Sequence, residues 1–253
     1  MNSKKLLYTL LLGATLTSCT EVEICERNHP HTGDVNFTYT WNKPEDKPKF
    51  MGVLCYRVVG QWKKVAKVNT EDLTLTIKEF PPTAFKSTIE IPRGYYKFAT
   101  FPLDNPSIDY SELEQFIEKD AADYPLQNIG LSYKVYDIKD PKLNKPLAWQ
   151  DFNPYAKYIQ PDVEPLYYDS TTVQQVRADR QTTFEFKPKI LSQNIDINFN
   201  IVKNTDEVQF KVTEVWAEIS GVPIYIKMNT GYLDITKTSK MLFKTDIKPS
   251  NPD

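Results

Sequence analysis

Histidine is nearly absent from this chain of 253 residues, which has only His29 and His31. A serine or cysteine nucleophile needs a neighbouring base, most often an imidazole, so such a site would have to be built around these two residues. The sequence also lacks a G-x-S-x-G elbow, an H-E-x-x-H zinc motif, a P-loop and a G-x-G-x-x-G dinucleotide motif. Carboxylate pairs of the glycosidase type leave no local signature and stay open. Together, these absences predict that the protein is not an enzyme and carries no cofactor.

The chain contains 31 Lys and Arg residues and 33 Asp and Glu residues, so its net charge is -2 and neither sign of charge dominates. This balance does not supply the basic surface that nucleic-acid binding requires, so no nucleic-acid partner is predicted. Glycine is scarce, with 8 residues, whereas Tyr and Phe number 15 and 13. Aromatic residues favour strands, and a hydrophobic content of 40% is enough for a packed core.

The chain has no apolar run long enough to span a bilayer, which needs about 20 residues. The most apolar stretch, residues 6–16, follows Lys4 and Lys5 and leads into Leu16-Thr17-Ser18-Cys19. This order matches a bacterial lipoprotein signal with its lipobox cysteine. It predicts that residues 1–18 are a signal peptide and that Cys19 is lipidated. The alternative is an ordinary secretory signal followed by a chance cysteine.

A lipidated Cys19 would attach the protein to the outer membrane through acyl chains alone. Each buried CH₂ group contributes about 0.8 kcal/mol, so several chains on one cysteine make release very slow. Residues 19–33 are polar and turn-rich, and we expect them to form a tether. Glu21 and Glu23 follow Cys19 closely, an arrangement that resembles the surface-export signals of such lipoproteins, so we expect the protein at the cell surface and leave a periplasmic orientation as the alternative.

Cys25, His29 and His31 form a C-x₃-H-x-H cluster that could bind zinc only with a fourth ligand, such as Glu26 or Asp34. The spacing is not that of a standard zinc finger, so we expect a turn that docks the tether and no metal site.

Cys55 lies in an apolar run, where a buried free thiol is the usual outcome. The predicted compartment also permits a disulfide between Cys25 and Cys55, and the sequence leaves that alternative open.

Short segments rich in β-branched and aromatic residues, many with period-2 alternation, predict strands along most of the chain. They cover residues 35–41, 51–59, 62–68, 73–77, 87–91, 96–101, 129–138, 183–186, 195–201, 208–219, 222–228 and 241–247. Pro92 and Gly94 predict a β-turn between two of them.

One helix is predicted after residue 110. Ser111 and Glu114 fit a capping box, and Leu113, Phe116 and Ile117 share one face. The helix could bind a partner, but a lid over one sandwich edge is the preferred interpretation.

Short strands separated by turns predict an all-β fold of two tandem β-sandwich domains with one short helix in the first. Residues 139–182 are punctuated by prolines and predict a long connection or domain junction. We therefore expect an N-terminal sandwich at residues 34–178 and a C-terminal sandwich at residues 179–253. The second is one or two strands short of closure, so it is incomplete on this prediction.

Aromatic residues could also form a platform for stacking on sugars. Trp41 falls on the apolar face of its strand, which predicts a core position. Trp149, Tyr167 and Tyr168 lie in proline-rich segments and are the better candidates for exposure. Packing is the preferred interpretation, with a surface glycan-binding lipoprotein as the alternative function.

Three motifs resemble the fimbrillin-like lipoproteins of Bacteroidales, relatives of the anchor and accessory subunits of type V pili. The first is the lipobox cysteine followed by Glu23-Ile24-Cys25, His29-Pro30-His31 and a strand ending in Trp41. The second is Ile91-Pro92-Arg93-Gly94-Tyr95-Tyr96, which resembles the family's Pro-x-Gly-x-Tyr hairpin. The third is Val215-Trp216-Ala217-Glu218-Ile219-Ser220-Gly221-Val222, which resembles a second-domain strand leading into a Ser-Gly turn.

The resemblance implies two transthyretin-like sandwich domains and a role in anchoring or nucleating fimbriae at the outer membrane. It implies no catalytic residues, and Cys19 is the only residue to which it assigns a role. Such subunits are completed by a strand from a neighbour, so we expect the shortened second domain to accept one by strand exchange. The alternative is a truncated product with a frayed second domain.

Overall fold

The structure is a computed structural model that describes residues 31–60, 62–73, 75–77, 88–103, 105–119, 125–146, 149, 154–161, 163–178, 180–192, 197–199 and 214–245. These residues form mostly β-strands, with one α-helix, α1 (Ser111–Glu118), and two short 3-10 helices, Pro44–Asp46 and Leu126–Asn128. The predicted class, all-β with one short helix, is confirmed.

Two sheets enclose the first core. The larger contains, in order, β14 (Lys189–Ile190), β11 (Tyr167–Ser170), β6 (Gly94–Pro102), β2 (Phe50–Arg57), β3 (Lys63–Asn69) and β4 (Leu75–Ile77), with β12 (Gln174–Val176) also paired to β6. The smaller contains β13 (Thr182–Phe186), β1 (Thr32–Tyr39) and β5 (Ile89–Pro92). In β1, Val35 and Phe37 point into this core while Asp34 is exposed, as period-2 alternation requires.

The other face of the larger sheet is also buried. It packs against α1 and against a sheet of β16 (Tyr225–Lys227), β8 (Gly130–Tyr133) and β7 (Ile108–Asp109). In β2, Val53 and Cys55 belong to the first core, whereas Leu54 belongs to this second one. A strand with two buried faces needs apolar residues at every position, and this explains the unbroken apolar run there.

Helix α1 covers part of the second core and buries Leu113 and Phe116; its role as a lid over one sandwich edge stays a prediction. The predicted capping box is wrong by one position. Tyr110 occupies the N-cap without a side-chain bond, and Ser111 is the first helical residue. The carboxylate of Asp109 accepts the Ser111 N–H at 3.0 Å instead, so the preceding residue satisfies that free donor.

A fourth sheet has the order β15 (Val215–Pro223), β17 (Thr238–Thr245), β10 (Lys157–Ile159) and β9 (Tyr136–Asp137). One face covers a third, smaller core formed by Ile138, Leu143, Ala156, Tyr158 and Leu242. The side chains of Ile159 and Met241 point to the opposite face, into the second core.

Four pairings between described strands cross the domain boundary predicted after residue 178. They join β13 to β1, β14 to β11, β16 to β8 and β17 to β10. The segment expected to be a connection, residues 139–182, also supplies β10, β11 and β12. Tandem domains divided at that boundary stay a prediction, but strands from both sides of it share sheets.

The predicted strand at residues 195–201 is described only at positions 197–199. These are irregular, with Ile197 and Phe199 exposed by 39% and 48%. The rest of that prediction lies outside the described residues.

The turn at Pro92–Gly94 connects two sheets. β5 pairs with β1 and β6 pairs with β2, so the hairpin implied by the resemblance is wrong, although the chain does turn there. The Tyr96 hydroxyl donates to the Pro92 carbonyl at 2.7 Å and closes this arch. No helix in the described part of the chain is long and apolar enough to cross a membrane.

Candidate assembly edge

β15 is the longest edge strand among the described residues. It has nine residues and ends the order β15-β17-β10-β9, whereas the next longest described edge strand, β13, has five. No described strand pairs with β15 on the side away from β17. An edge strand carries a row of backbone N–H and C=O groups that another chain can pair with.

A bulge limits the regular part of this edge. The register with β17 runs from Val215↔Thr245 to Ile219↔Met241 and then shifts before Val222. Gly221 lies in the shifted segment with a φ of 76°, a left-handed conformation that favours glycine. The Ser-Gly pair is therefore a β-bulge within one strand, and the expected turn is wrong. Bulges terminate regular pairing, so Val215–Ile219 is the part suited to accept a strand.

Glu218 is the hydrogen-bonding centre of this sheet. Its Oε2 accepts from the Tyr158 hydroxyl at 2.7 Å, and its Oε1 accepts from Lys240 Nζ at 2.8 Å and the Ser220 hydroxyl at 3.4 Å. Trp149 Nε1 donates in turn to the Tyr158 oxygen at 3.3 Å. Side chains from β10, β15 and β17 therefore meet at one carboxylate, and Trp149 is joined to it through Tyr158.

The ionised form of Glu218 is favoured by these contacts. Partial burial raises the pKa of the carboxyl, but the hydrogen bonds from Lys240 and Tyr158 outweigh burial and lower it below its ordinary value. Conversely, the hydrogen bond to Glu218 raises the pKa of Lys240. The two groups therefore stay charged over a wide pH range and hold β15 against β17.

A second, exposed ion pair fixes the start of the strand. Lys244 Nζ lies 2.7 Å from Glu214 Oε1, and Trp216 Nε1 donates to Glu214 Oε2 at 3.1 Å. An edge already held by contacts at Glu214 and Glu218 loses little conformational entropy when a partner strand adds to it.

The predicted lipidation site, Cys19, lies outside the described residues, as do Cys25 and His29. His31 is the first described residue and is exposed. Among the described residues, no group of three His, Cys, Asp or Glu side chains could hold a metal ion. Lipidation of Cys19 and the absence of a metal at the C-x₃-H-x-H cluster stay predictions.

Cys55 is a buried free thiol, as expected from its apolar run. Its exposed fraction is 1%, and burial raises the pKa of the thiol. It lies on the first-core face of β2, so it is inert in the folded protein.

The aromatic residues expected in exposed loops are packed. Tyr167 and Tyr168 are 3% and 6% exposed because they belong to β11, and burial raises the pKa of Tyr168 to about 12. Trp149 is half-buried against the third core. Trp41 lies past the end of β1, half-buried, and its ring stacks on that of Tyr39 at 5.6 Å. Tyr167 and Tyr168 are therefore too buried to stack on a sugar, and Trp41 and Trp149 are partly covered by protein.

One cavity of about 370 Å³ lies beside this aromatic group, lined by residues that include Phe50, Asn105 and Tyr167. The Lys67 ammonium sits 3.8 Å above the Phe50 ring, so one face of that ring is already occupied. The cavity does not supply the stacking platform that the glycan-binding alternative requires.

No protein-family model matches the chain, and no curated protein matches its sequence. Solved structures do match. A candidate adhesin from Bacteroides ovatus ATCC 8483 has a TM-score of 0.50 at 10% identity, covering 94% of this chain and 78% of that one. A candidate adhesin from Bacteroides thetaiotaomicron VPI-5482 has a TM-score of 0.45 at 10% identity, with 86% and 63% covered, so this chain spans less than two thirds of it. The fimbrial anchor protein Mfa2 from Porphyromonas gingivalis has a TM-score of 0.42 at 12% identity, with 88% and 75% covered.

The chain therefore shares its fold with the Bacteroides ovatus protein. The resemblance to the fimbrillin-like lipoproteins agrees with this shared fold. Fold alone does not assign a function.

Proposed function

We propose that the protein is an outer-membrane lipoprotein of the cell surface that acts as an anchor or accessory subunit of fimbriae. Lipid on Cys19 attaches it to the membrane, and a neighbouring subunit adds a strand to β15. The observation that carries the assembly part is the nine-residue strand at the sheet edge, which has no partner among the described strands on its outer side. The lipobox and the shared fold support the remainder.

Strand addition supplies affinity through main-chain hydrogen bonds and specificity through alternate side chains. Along β15, Trp216 and Glu218 point toward the third core. Val215, Ala217 and Ile219 point to the other face and are half-buried, so an incoming strand can extend the apolar surface on that face. Because Glu218 is tied to Tyr158 and Lys240, the edge is already in its paired conformation.

The assembly part is tested by placing a photo-crosslinking amino acid at Val215 or Ala217 and irradiating intact cells. We expect both positions to give products with fimbrial subunits that appear as a ladder on unboiled gels. The matched control is the same amino acid at Tyr155, which is 91% exposed and lies in a loop. Equal products at Tyr155, or no products at the two strand positions, would contradict strand addition.

The anchoring part is tested separately with Cys19→Ala and Cys25→Ala. We expect Cys19→Ala to leave the envelope fraction and to block the globomycin-sensitive maturation, whereas Cys25→Ala behaves as the wild type. A Cys19→Ala protein that still sediments with membranes would show that lipid on this residue is not the anchor.

A further inference from the structure

Three chain segments lie next to one another at one end of the first sandwich, around the start of β1. Thr32, the first residue of β1, pairs with Pro92 of β5. The arch after Pro92 touches the β2–β3 connection, where Arg57 donates to the Arg93 carbonyl at 2.8 Å and the Val58 N–H donates to the Tyr95 carbonyl at 2.8 Å. We call this surface, formed by Thr32, residues 57–59 and residues 92–95, the tether end.

The tether end exposes apolar side chains next to one another. Val58 is 44% exposed, Val59 is 71% exposed and Tyr95 is 52% exposed. Single exposed apolar residues are normal on a protein surface, whereas clustered ones mark an interaction site. The clustering here follows from the hydrogen bond that sets Val58 beside Tyr95.

Two arginines, Arg57 and Arg93, belong to the same surface as these side chains. The nearest described acidic residues of β1 and β5 are Asp34 and Glu90. They pair with each other two residue pairs beyond Thr32 and Pro92, away from the tether end. Aromatic and aliphatic side chains with neighbouring cations are the composition that favours a membrane interface.

The tether reaches the fold at this end. Residues 19–31 precede β1 and span at most about 45 Å when fully extended. The opposite end of the sandwich lies about 25 Å further along β1, given its eight residues at about 3.3 Å each. The tether end is therefore the part of the sandwich joined most directly to Cys19.

We propose that the tether end rests on the lipid bilayer, with Val58, Val59 and Tyr95 in the headgroup region. The lipid on Cys19 holds the protein near the membrane, and this contact fixes which end of the sandwich faces it. The inference rests on the proposed lipid anchor. Each exposed valine adds apolar burial, and the positive charges of Arg57 and Arg93 favour an anionic membrane surface over a neutral one.

The test uses the full lipidated chain in vesicles of phosphatidylethanolamine and phosphatidylglycerol. An environment-sensitive NBD label is placed on Val59→Cys or, as the matched control, on Lys43→Cys, which is exposed beyond the other end of β1. The chain without an added cysteine measures the background label. We expect the Val59 label to shift its emission to shorter wavelength, to be quenched by spin-labelled lipid and to be protected from iodide. The Lys43 label should stay accessible to iodide and unquenched by lipid.

Three outcomes are distinguishable. If the protein floats with the vesicles and only the Val59 label enters the lipid, the inference stands. If it floats but the Val59 label behaves like the Lys43 label, the inference is wrong and the lipid anchor survives. If the wild type floats no better than Cys19→Ala, the lipid anchor fails and the inference falls with it.

Discussion

The hydroxyl of Tyr158 donates a hydrogen bond of 2.7 Å to Glu218, a residue 60 positions away in the sequence, and this contact joins β10 to β15. Tyr158 is fully buried, so its loss leaves a charged acceptor with fewer partners. We expect Tyr158→Phe to lower the free energy of unfolding by about 1–3 kcal/mol, measured by urea denaturation. Tyr155→Phe, at a position 91% exposed, should change it by less than about 0.5 kcal/mol.

The same pair can be separated from general packing by a double-mutant cycle. Tyr158→Phe, Glu218→Gln and the double variant should show a coupling energy of at least about 0.5 kcal/mol. Additive effects would show that the hydrogen bond contributes nothing beyond the two side chains taken singly.

The charge of Glu218 predicts a pH dependence in acid. Its folded-state pKa is lowered from the ordinary value of 4.5, so its stabilising contribution is fully present above about pH 4.5 and is lost as the pH falls through the folded value. The free energy of unfolding of the wild type should therefore fall more steeply below about pH 4.5 than that of Glu218→Gln. Glu71→Gln, at an exposed glutamate, is the control for removing one charge and should keep the wild-type slope.

Gly130 and Gly221 are required for different reasons, and this predicts which of the two alanine substitutions lowers the free energy of unfolding more. A Cβ at Gly130 would lie 2.1 Å from the Tyr225 ring and 2.5 Å from the Ile226 carbonyl, where β8 and β16 pair. Gly130→Ala should therefore cost about 1–3 kcal/mol or more through overpacking. A Cβ at Gly221 meets nothing within 4 Å, and only its φ of 76° is strained, which costs about 1 kcal/mol. Urea denaturation showing a larger loss for Gly221→Ala would contradict this explanation.

Cys55 should resist alkylation until the protein unfolds. The thiol is 1% exposed and burial raises its pKa, so the reactive thiolate is both hidden and scarce. Labelling with a maleimide, followed by mapping of the peptide that contains Cys55, should give modification only in denaturant. The exposed Val59→Cys variant provides the native-state rate for comparison. Modification of Cys55 at a similar rate under native conditions would show that the first core opens readily.

Local patterns in the sequence were sufficient to predict many elements. The alternation in β1 and the apolar run of β2 both predicted strands. A strand buried on one face alternates apolar and polar residues, and a strand buried on both faces is apolar throughout. The spacing of Leu113 and Phe116 gave α1, since residues three apart share one helix face. Its first residue was misplaced because Asp109, outside the capping motif, satisfies the free backbone donor.

Pairing between distant segments was not predictable in the same way. Tyr167 and Tyr168 lie among prolines and were expected in loops, but they belong to β11, pair with β14 and are buried. The candidate edge was only partly predictable, because residues 215–219 have a strand pattern that does not reveal which side is paired. The Ser-Gly motif fits a turn or a bulge equally well, and the register with β17 makes it a bulge.

The sequence by itself determined the class of fold, the position of α1, the fate of Cys55 and the prediction of lipid at Cys19. Each of these depends on residues close together in the chain, through side-chain periodicity, burial of an apolar run or a short recognition motif. Only the tertiary structure decided that β13 joins β1, that the arch at Pro92 links two sheets and that β15 lies at an edge. These features depend on contacts between residues far apart in sequence, and such contacts leave no trace in local spacing.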